Sequence, residues 1–119
     1  MRRNLLVQRV NDMLKLRTND LRILRLIIQE YEVLYSRYIM RVVKRAAREE
    51  VDTILVFESE DGTSLKGVLP RTAYRGAIND CIEVFAKHEE FELASEAQKV
   101  RDLVDIYLLL SEPLMTTTT

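Results

Sequence analysis

The stretch from Asn19 to Glu50 decides most of what this chain can become. It reads NDLRILRLIIQEYEVLYSRYIMRVVKRAAREE, with no Gly and no Pro to interrupt a helix. At about 1.5 Å of rise per residue such a helix spans roughly 45 Å, longer than a globule of this size, so something must run beside it. Leu21, Leu24, Ile28, Tyr31, Tyr35, Tyr38 and Val42 step by three and four along one face. A second line, Leu26, Val33, Met40 and Ala47, recurs every seven residues, and Ile23, Ile27, Leu34, Ile39 and Val43 fill in around it. An apolar sector this wide suits the core helix of a bundle better than a two-stranded seam. Tyr at three stripe positions argues against a dry zipper, because each buried hydroxyl needs a partner. Thr18 or Asn19 can cap the start, with Asp20 in the first turn, while Arg41, Lys44, Arg45 and Arg48 crowd the end, as the helix dipole favours.

Upstream, residues 3–16 read as a first helix, with Leu5, Leu6, Val10, Met13 and Leu14 on its apolar face. Arg17-Thr18-Asn19-Asp20 is either a short turn or a kink in one longer helix, and the break is the preferred reading. Downstream the period changes. Val51 to Glu58 is β-branched and aromatic, Glu60-Asp61-Gly62-Thr63 is a turn signal, and Ser64 to Leu69 is the returning strand. With Asp61-Gly62 at the tip, Phe57 opposes Lys66, Leu55 opposes Val68 and Ile54 opposes Leu69. Both faces of this ribbon want cover, and a lone hairpin is marginal in water.

Pro70 ends the second strand, and Thr72 can cap a third helix beginning near Ala73, with Ala77, Cys81, Val84 and Phe85 sharing a face. A fourth helix covers about Glu90 to Leu110, with Leu93, Ala97, Val100, Val104, Tyr107 and Leu108 in line. The expected fold is mostly α in an α+β arrangement. It has two N-terminal helices including one long helix, a central β-hairpin and a C-terminal helical hairpin. Residues 1–112 form one domain with the hairpin at 52–69, and 113–119 are a disordered tail.

Charge is polarised along the chain. Residues 1–50 carry 12 Lys and Arg against 6 Asp and Glu, a surplus of +6, and residues 51–119 carry 6 against 13, a deficit of −7. The halves can neutralise one another, or the first can attract an acidic partner. A single cysteine, Cys81, excludes an internal disulfide framework and suits a reducing compartment, so a cytoplasmic protein is expected. The longest apolar region contains Arg22, Arg25, Glu30, Glu32 and Arg37, which is incompatible with a membrane span.

Residues 73–110 carry one family resemblance. Glu90-Phe91-Glu92-Leu93-Ala94-Ser95, preceded by an amphipathic helix, resembles the UVR motif, a helical hairpin of bacterial excision-repair proteins and some stress regulators. The family pattern places an Arg-Asp pair four residues after the first Ala. Here Gln98 and Lys99 stand there, and Arg101-Asp102 falls three residues later. The resemblance implies docking to another protein and not catalysis.

Two groups of residues are candidates for binding anions. Arg37, Arg41, Lys44, Arg45 and Arg48 make one basic stripe, able to lie along phosphates, to face solvent or to receive the acidic C-terminal helices. Arg71, Thr72, Tyr74 and Arg75 cluster at a helix start, where amide hydrogens attract anions, although the two Arg can equally serve salt bridges.

Catalysis finds little support. Glu83 and His88 are five residues apart and do not share a helix face, and Cys81 and His88 are separated by two turns, about 10 Å. No metal, cofactor or enzyme activity is expected. The expectation is a small non-enzymatic binding or regulatory module that docks on another protein and self-associates. Leu24, Ile28, Tyr31, Tyr35, Tyr38, Val42, Leu55 and Phe57 are the candidate oligomer interface. The alternative is nucleic-acid or nucleotide-phosphate binding through the basic stripe or the Arg71/Arg75 helix start.

Overall fold

A computed structural model describes residues 14–16, 20–59, 61 and 66–111. In chain order it contains strand β1 (Leu14–Leu16), helices α1 (Leu21–Glu30) and α2 (Glu32–Arg48), and strands β2 (Thr53–Ser59) and β3 (Lys66–Pro70). A short 3-10 turn (Arg71–Ala73) then leads into α3 (Tyr74–Lys87) and α4 (Phe91–Ser111). This is the expected mostly helical fold: an N-terminal helix pair, a β-hairpin and a C-terminal helix pair. Most of the helix expected over 3–16, residues 60 and 62–65 around the hairpin tip, and the tail at 113–119 lie outside the described residues.

Three local expectations are revised. Residues 14–16, read as the end of a first helix, form β1 and pair in parallel with β2, Leu14 opposite Phe57 and Leu16 opposite Ser59. Leu-Lys-Leu satisfies a strand period as well as a helical one, and the open edge of β2 offers hydrogen bonds that only a strand can take. The long helix is divided at Tyr31, whose φ of −114° and ψ of 37° leave the helical region. Just beyond it, the Glu32 carboxylate is held by Lys87 and His88 at the end of α3. The third helix starts without the expected Thr72 cap: its first residues form the 3-10 turn, and no side chain caps α3.

The hairpin register is right at its base and shifted at its end. Ile54 pairs with Leu69 and Leu55 with Val68 as expected, but Phe57 pairs with Gly67, not Lys66. The β-bulge between Leu55 and Phe57 absorbs one residue, Val56. The carbonyl of this skipped residue accepts a hydrogen bond from the buried Tyr38 hydroxyl at 2.7 Å, so α2 holds the bulge in place. The shift sets the Phe57 ring across Gly67, where a Cβ would collide with the ring.

Both α2 and α3 end in the same way. The amide of Val51 donates to Ala46 O at 2.9 Å and that of Glu90 to Phe85 O at 2.7 Å, while Glu50 and Glu89 adopt φ of 55° and 58°. These are Schellman-type ends with Glu where Gly is usual.

The core lies where α2 packs on α3, α4 and β2. Val43, Ile54, Tyr74, Ile78, Phe85 and Val104 are its largest fully buried side chains. Buried tyrosines are satisfied as their chemistry requires, Tyr38 on Val56 O and Tyr74 on Val51 O at 2.6 Å.

The two described glycines should respond to alanine in opposite directions. Gly67→Ala forces the Phe57 ring from its place and should lower stability by about 1–3 kcal/mol. Gly76→Ala adds a methyl into open space within α3 and should raise stability by about 0.5–1 kcal/mol. Urea unfolding of the two variants checks both signs.

Candidate functional site

Helix α1 is poorly covered. Leu24 is its only buried side chain among ten residues, while Leu21, Ile23, Leu26 and Ile27 are exposed. The apolar surface continues over Tyr31 and Leu34 into α2. Between α1, the start of α2 and β2 lies a groove of about 180 Å³ lined by apolar and tyrosine side chains, among them Ile27, Ile28, Tyr31, Leu34, Tyr35 and Phe57. Ile28 and Tyr35 also line a second cavity of about 310 Å³ that reaches Cys81 and Val84 on α3.

The expected interface residues divide between interior and surface. Leu24, Tyr38 and Val42 are buried in the protomer, where a second chain has no access to them. Ile28, Tyr35, Leu55 and Phe57 are half-buried, and Tyr31 is exposed. The apolar residues of α1 and α2 most open to solvent, Leu26 at 63% and Leu34 at 59%, belong to the lines that surround the Tyr stripe. Their signal in the sequence is the excess width of the apolar sector, more than one buried face can use.

The basic stripe occupies the outward side of α2. Arg37, Arg41 and Arg48 are exposed, and Lys44 and Arg45 are half-buried. Lys44 lies 3.9 Å from Glu96 on α4, and the Arg41 guanidinium stands 5.7 Å from the Tyr38 ring centroid. A groove of about 290 Å³ separates Lys44 and Arg48 from Lys99 on α4.

The cluster at the start of α3 is committed to protein partners. The Arg71 guanidinium lies 3.8 Å from Asp52, and the Arg75 Nε donates to Asp105 at 2.9 Å. Tyr74 is fully buried, and its hydroxyl donates to Val51 O. Thr72 is exposed. Of this cluster, Arg71, Thr72 and Arg75 reach solvent, and the two Arg already hold carboxylates.

Cys81 and His88 do not meet. The Cys81 thiol is buried and donates to Ser36 O at 3.4 Å. Burial pushes its pKa up to about 12, which suppresses the thiolate that nucleophilic chemistry needs. The His88 Nε2 lies 2.5 Å from Glu32 Oε1, which the Lys87 ammonium also approaches at 2.5 Å. Among the described residues no group of three or more His, Cys, Asp or Glu could hold a metal ion, and no helix is long and apolar enough to cross a membrane. The Glu90–Ser95 segment that resembles the UVR motif forms the α3–α4 turn and the first turn of α4, with Phe91 exposed. No protein-family model, no curated protein and no solved structure matches this chain.

Glu32 ties the α1–α2 break to the end of α3, and this tie depends on pH. Its hydrogen bonds from Lys87 and then from His88 hold its carboxyl below the ordinary value of 4.5. A carboxyl with a lowered folded pKa stabilises fully above its unfolded value and loses that contribution as pH falls through the folded one. The urea midpoint of the native chain should therefore fall more steeply below pH 4.5 than that of Glu32→Gln. Identical slopes would mean that the contact contributes nothing.

Proposed function

We propose that this chain is a non-enzymatic binding module that works by docking, with α1 as its docking element and a second copy of the chain as the partner. The observation that carries this reading is the burial of one side chain in ten on α1. A ten-residue helix is marginal on its own in water, and most helical stability comes from packing an apolar face. Among the described residues α1 has little such packing. Covering the exposed parts of Ile23, Leu26, Ile27 and Leu34 would supply about 1 kcal/mol each.

The charges beside this face favour a second copy set antiparallel. Arg22, Leu26 and Glu30 follow one another at i, i+4 and i+8 along α1. A two-fold axis passing at Leu26 sets Leu26 against itself and Arg22 against Glu30 of the second copy, in both directions at once. Arg22 is held near Asp20 at 3.3 Å, yet its side chain is 88% exposed and can reach across. Such rim pairs set orientation more than affinity.

Sedimentation equilibrium at micromolar concentration should give twice the 13.9 kDa protomer mass. Leu26→Glu should return the protomer, and Glu30→Lys should weaken association in a way that Arg22→Glu in the same chain restores. A 13.9 kDa species that persists on concentration overturns the self-association.

A further inference from the structure

The outward face of α2 has a composition that packing does not explain. From Ser36 to Arg48 eight positions are buried, and all five that reach solvent are basic: Arg37, Arg41, Lys44, Arg45 and Arg48. A solvated helix face ordinarily mixes signs, because opposite charges four residues apart stabilise a helix and like charges there destabilise it. Here Arg37 with Arg41, Arg41 with Arg45, and Lys44 with Arg48 are like-charge pairs at that spacing, and no acidic residue stands between them. The face extends about 16 Å along the axis. Lys99 adds a further cation from α4 across the 290 Å³ groove.

Little of this charge is neutralised. Glu96 faces Lys44 at the long distance of 3.9 Å, and Arg45 has a partner of its own. Among the described residues, Arg37, Arg48 and Lys99 hold no carboxylate, and Arg41 meets only the Tyr38 ring. The chain as a whole carries a net charge of −1, so the positive field belongs to this face and not to the molecule.

We propose that the α2 face is a binding site for the phosphate backbone of duplex nucleic acid. Four of its five helix cations are Arg, whose planar fork donates two parallel hydrogen bonds to a phosphate. No exposed aromatic side chain interrupts the face between 36 and 48, so it lacks the stacking platform of a single-strand binder. Asn and Gln, the usual readers of adenine, are absent from it, and contacts to phosphates alone are independent of sequence. A membrane surface fits less well. A lipid-binding helix inserts its apolar side, and the apolar side of α2 is buried in the core. This site does not rest on the docking role of α1.

Fluorescence anisotropy with a short labelled DNA duplex of mixed sequence tests the assignment. Contacts from Arg37, Arg41, Arg48 and Lys99 give a salt slope of about −3.6, a loss of roughly 150-fold in affinity between about 50 and 200 mM salt. Replacing Arg37, Arg41 and Arg48 together by Gln should reduce that slope to about −0.9. Glu96→Gln should tighten binding, because it frees Lys44 for phosphate, and Lys66→Gln on β3 should change nothing. All these positions are exposed, and an unchanged urea midpoint verifies the fold of each variant. The monomeric Leu26→Glu variant should keep the slope, which separates this site from self-association. Absence of binding at low salt, binding unaffected by the triple substitution, or capture by phosphatidylserine vesicles but not by the duplex would each overturn the proposal.

Discussion

The passage from α2 into β2 is where the separate parts of this fold are tied together. Two of its residues, Val51 and Asp52, receive hydrogen bonds from three other segments. The Tyr74 hydroxyl of α3 donates to Val51 O, and the Tyr107 hydroxyl of α4 donates to Asp52 Oδ1 at 2.5 Å. The Arg71 amide donates to Asp52 O at 2.7 Å, and its guanidinium approaches the same side chain. Tyr74 and Tyr107 stack with their centroids 6.2 Å apart, which closes the junction on its apolar side. A buried carbonyl left without its donor costs about 1–3 kcal/mol, so the junction tolerates few alternatives. It fixes where β2 leaves α2, and therefore where the sheet stands against the helices.

From that junction α2 acquires two faces with different obligations. Its inner face fills the core against α3, α4 and β2, and Tyr38 reaches through to hold the bulge at Val56. From Ser36 to Arg48 the residues of its outer face that reach solvent are all cations. Helix α1 stands in the opposite situation, since it holds a surplus of apolar surface and few neighbours among the described residues. Leu24 is the one buried residue of α1, and it stands outside the core cluster. What remains on α1 is exposed apolar surface, which the proposed second copy would cover.

Much of the architecture was legible in the chain. The absence of Gly and Pro between Asn19 and Glu50, the change to β-branched residues after Val51, and the stop at Pro70 each act through a few neighbouring bonds, so local physics settles them. The inward faces of α3 and α4 follow from spacing for the same reason: Cys81 and Phe85 on α3, and Ala97, Val100, Val104 and Tyr107 on α4, are buried where the period puts them. The basic stripe on α2 could be read off directly, because charge at helical spacing needs no tertiary partner to share a face.

What the sequence left open depended on groups distant in the chain. The Tyr stripe and the lines around it were both apolar, and only packing against α3 and β2 chose Tyr38 and Val42 for the interior while leaving Leu26 and Leu34 outside. Tyr31 carries no breaking signal of its own, and the Glu32 contacts beside it come from residues more than fifty positions away. The bulge that moved Phe57 onto Gly67 is held by a hydroxyl eighteen positions earlier in the chain. Asp52 and Asp105 claim Arg71 and Arg75, a choice invisible in a cluster that also had the composition of an anion site. Glu50 and Glu89 take the left-handed positions that end two helices, although Glu gives no local warning of it. Periodicity determines which element forms because it is a property of neighbours. Which face is buried, and which charge is paired, is settled by contacts that exist only once the chain has closed on itself.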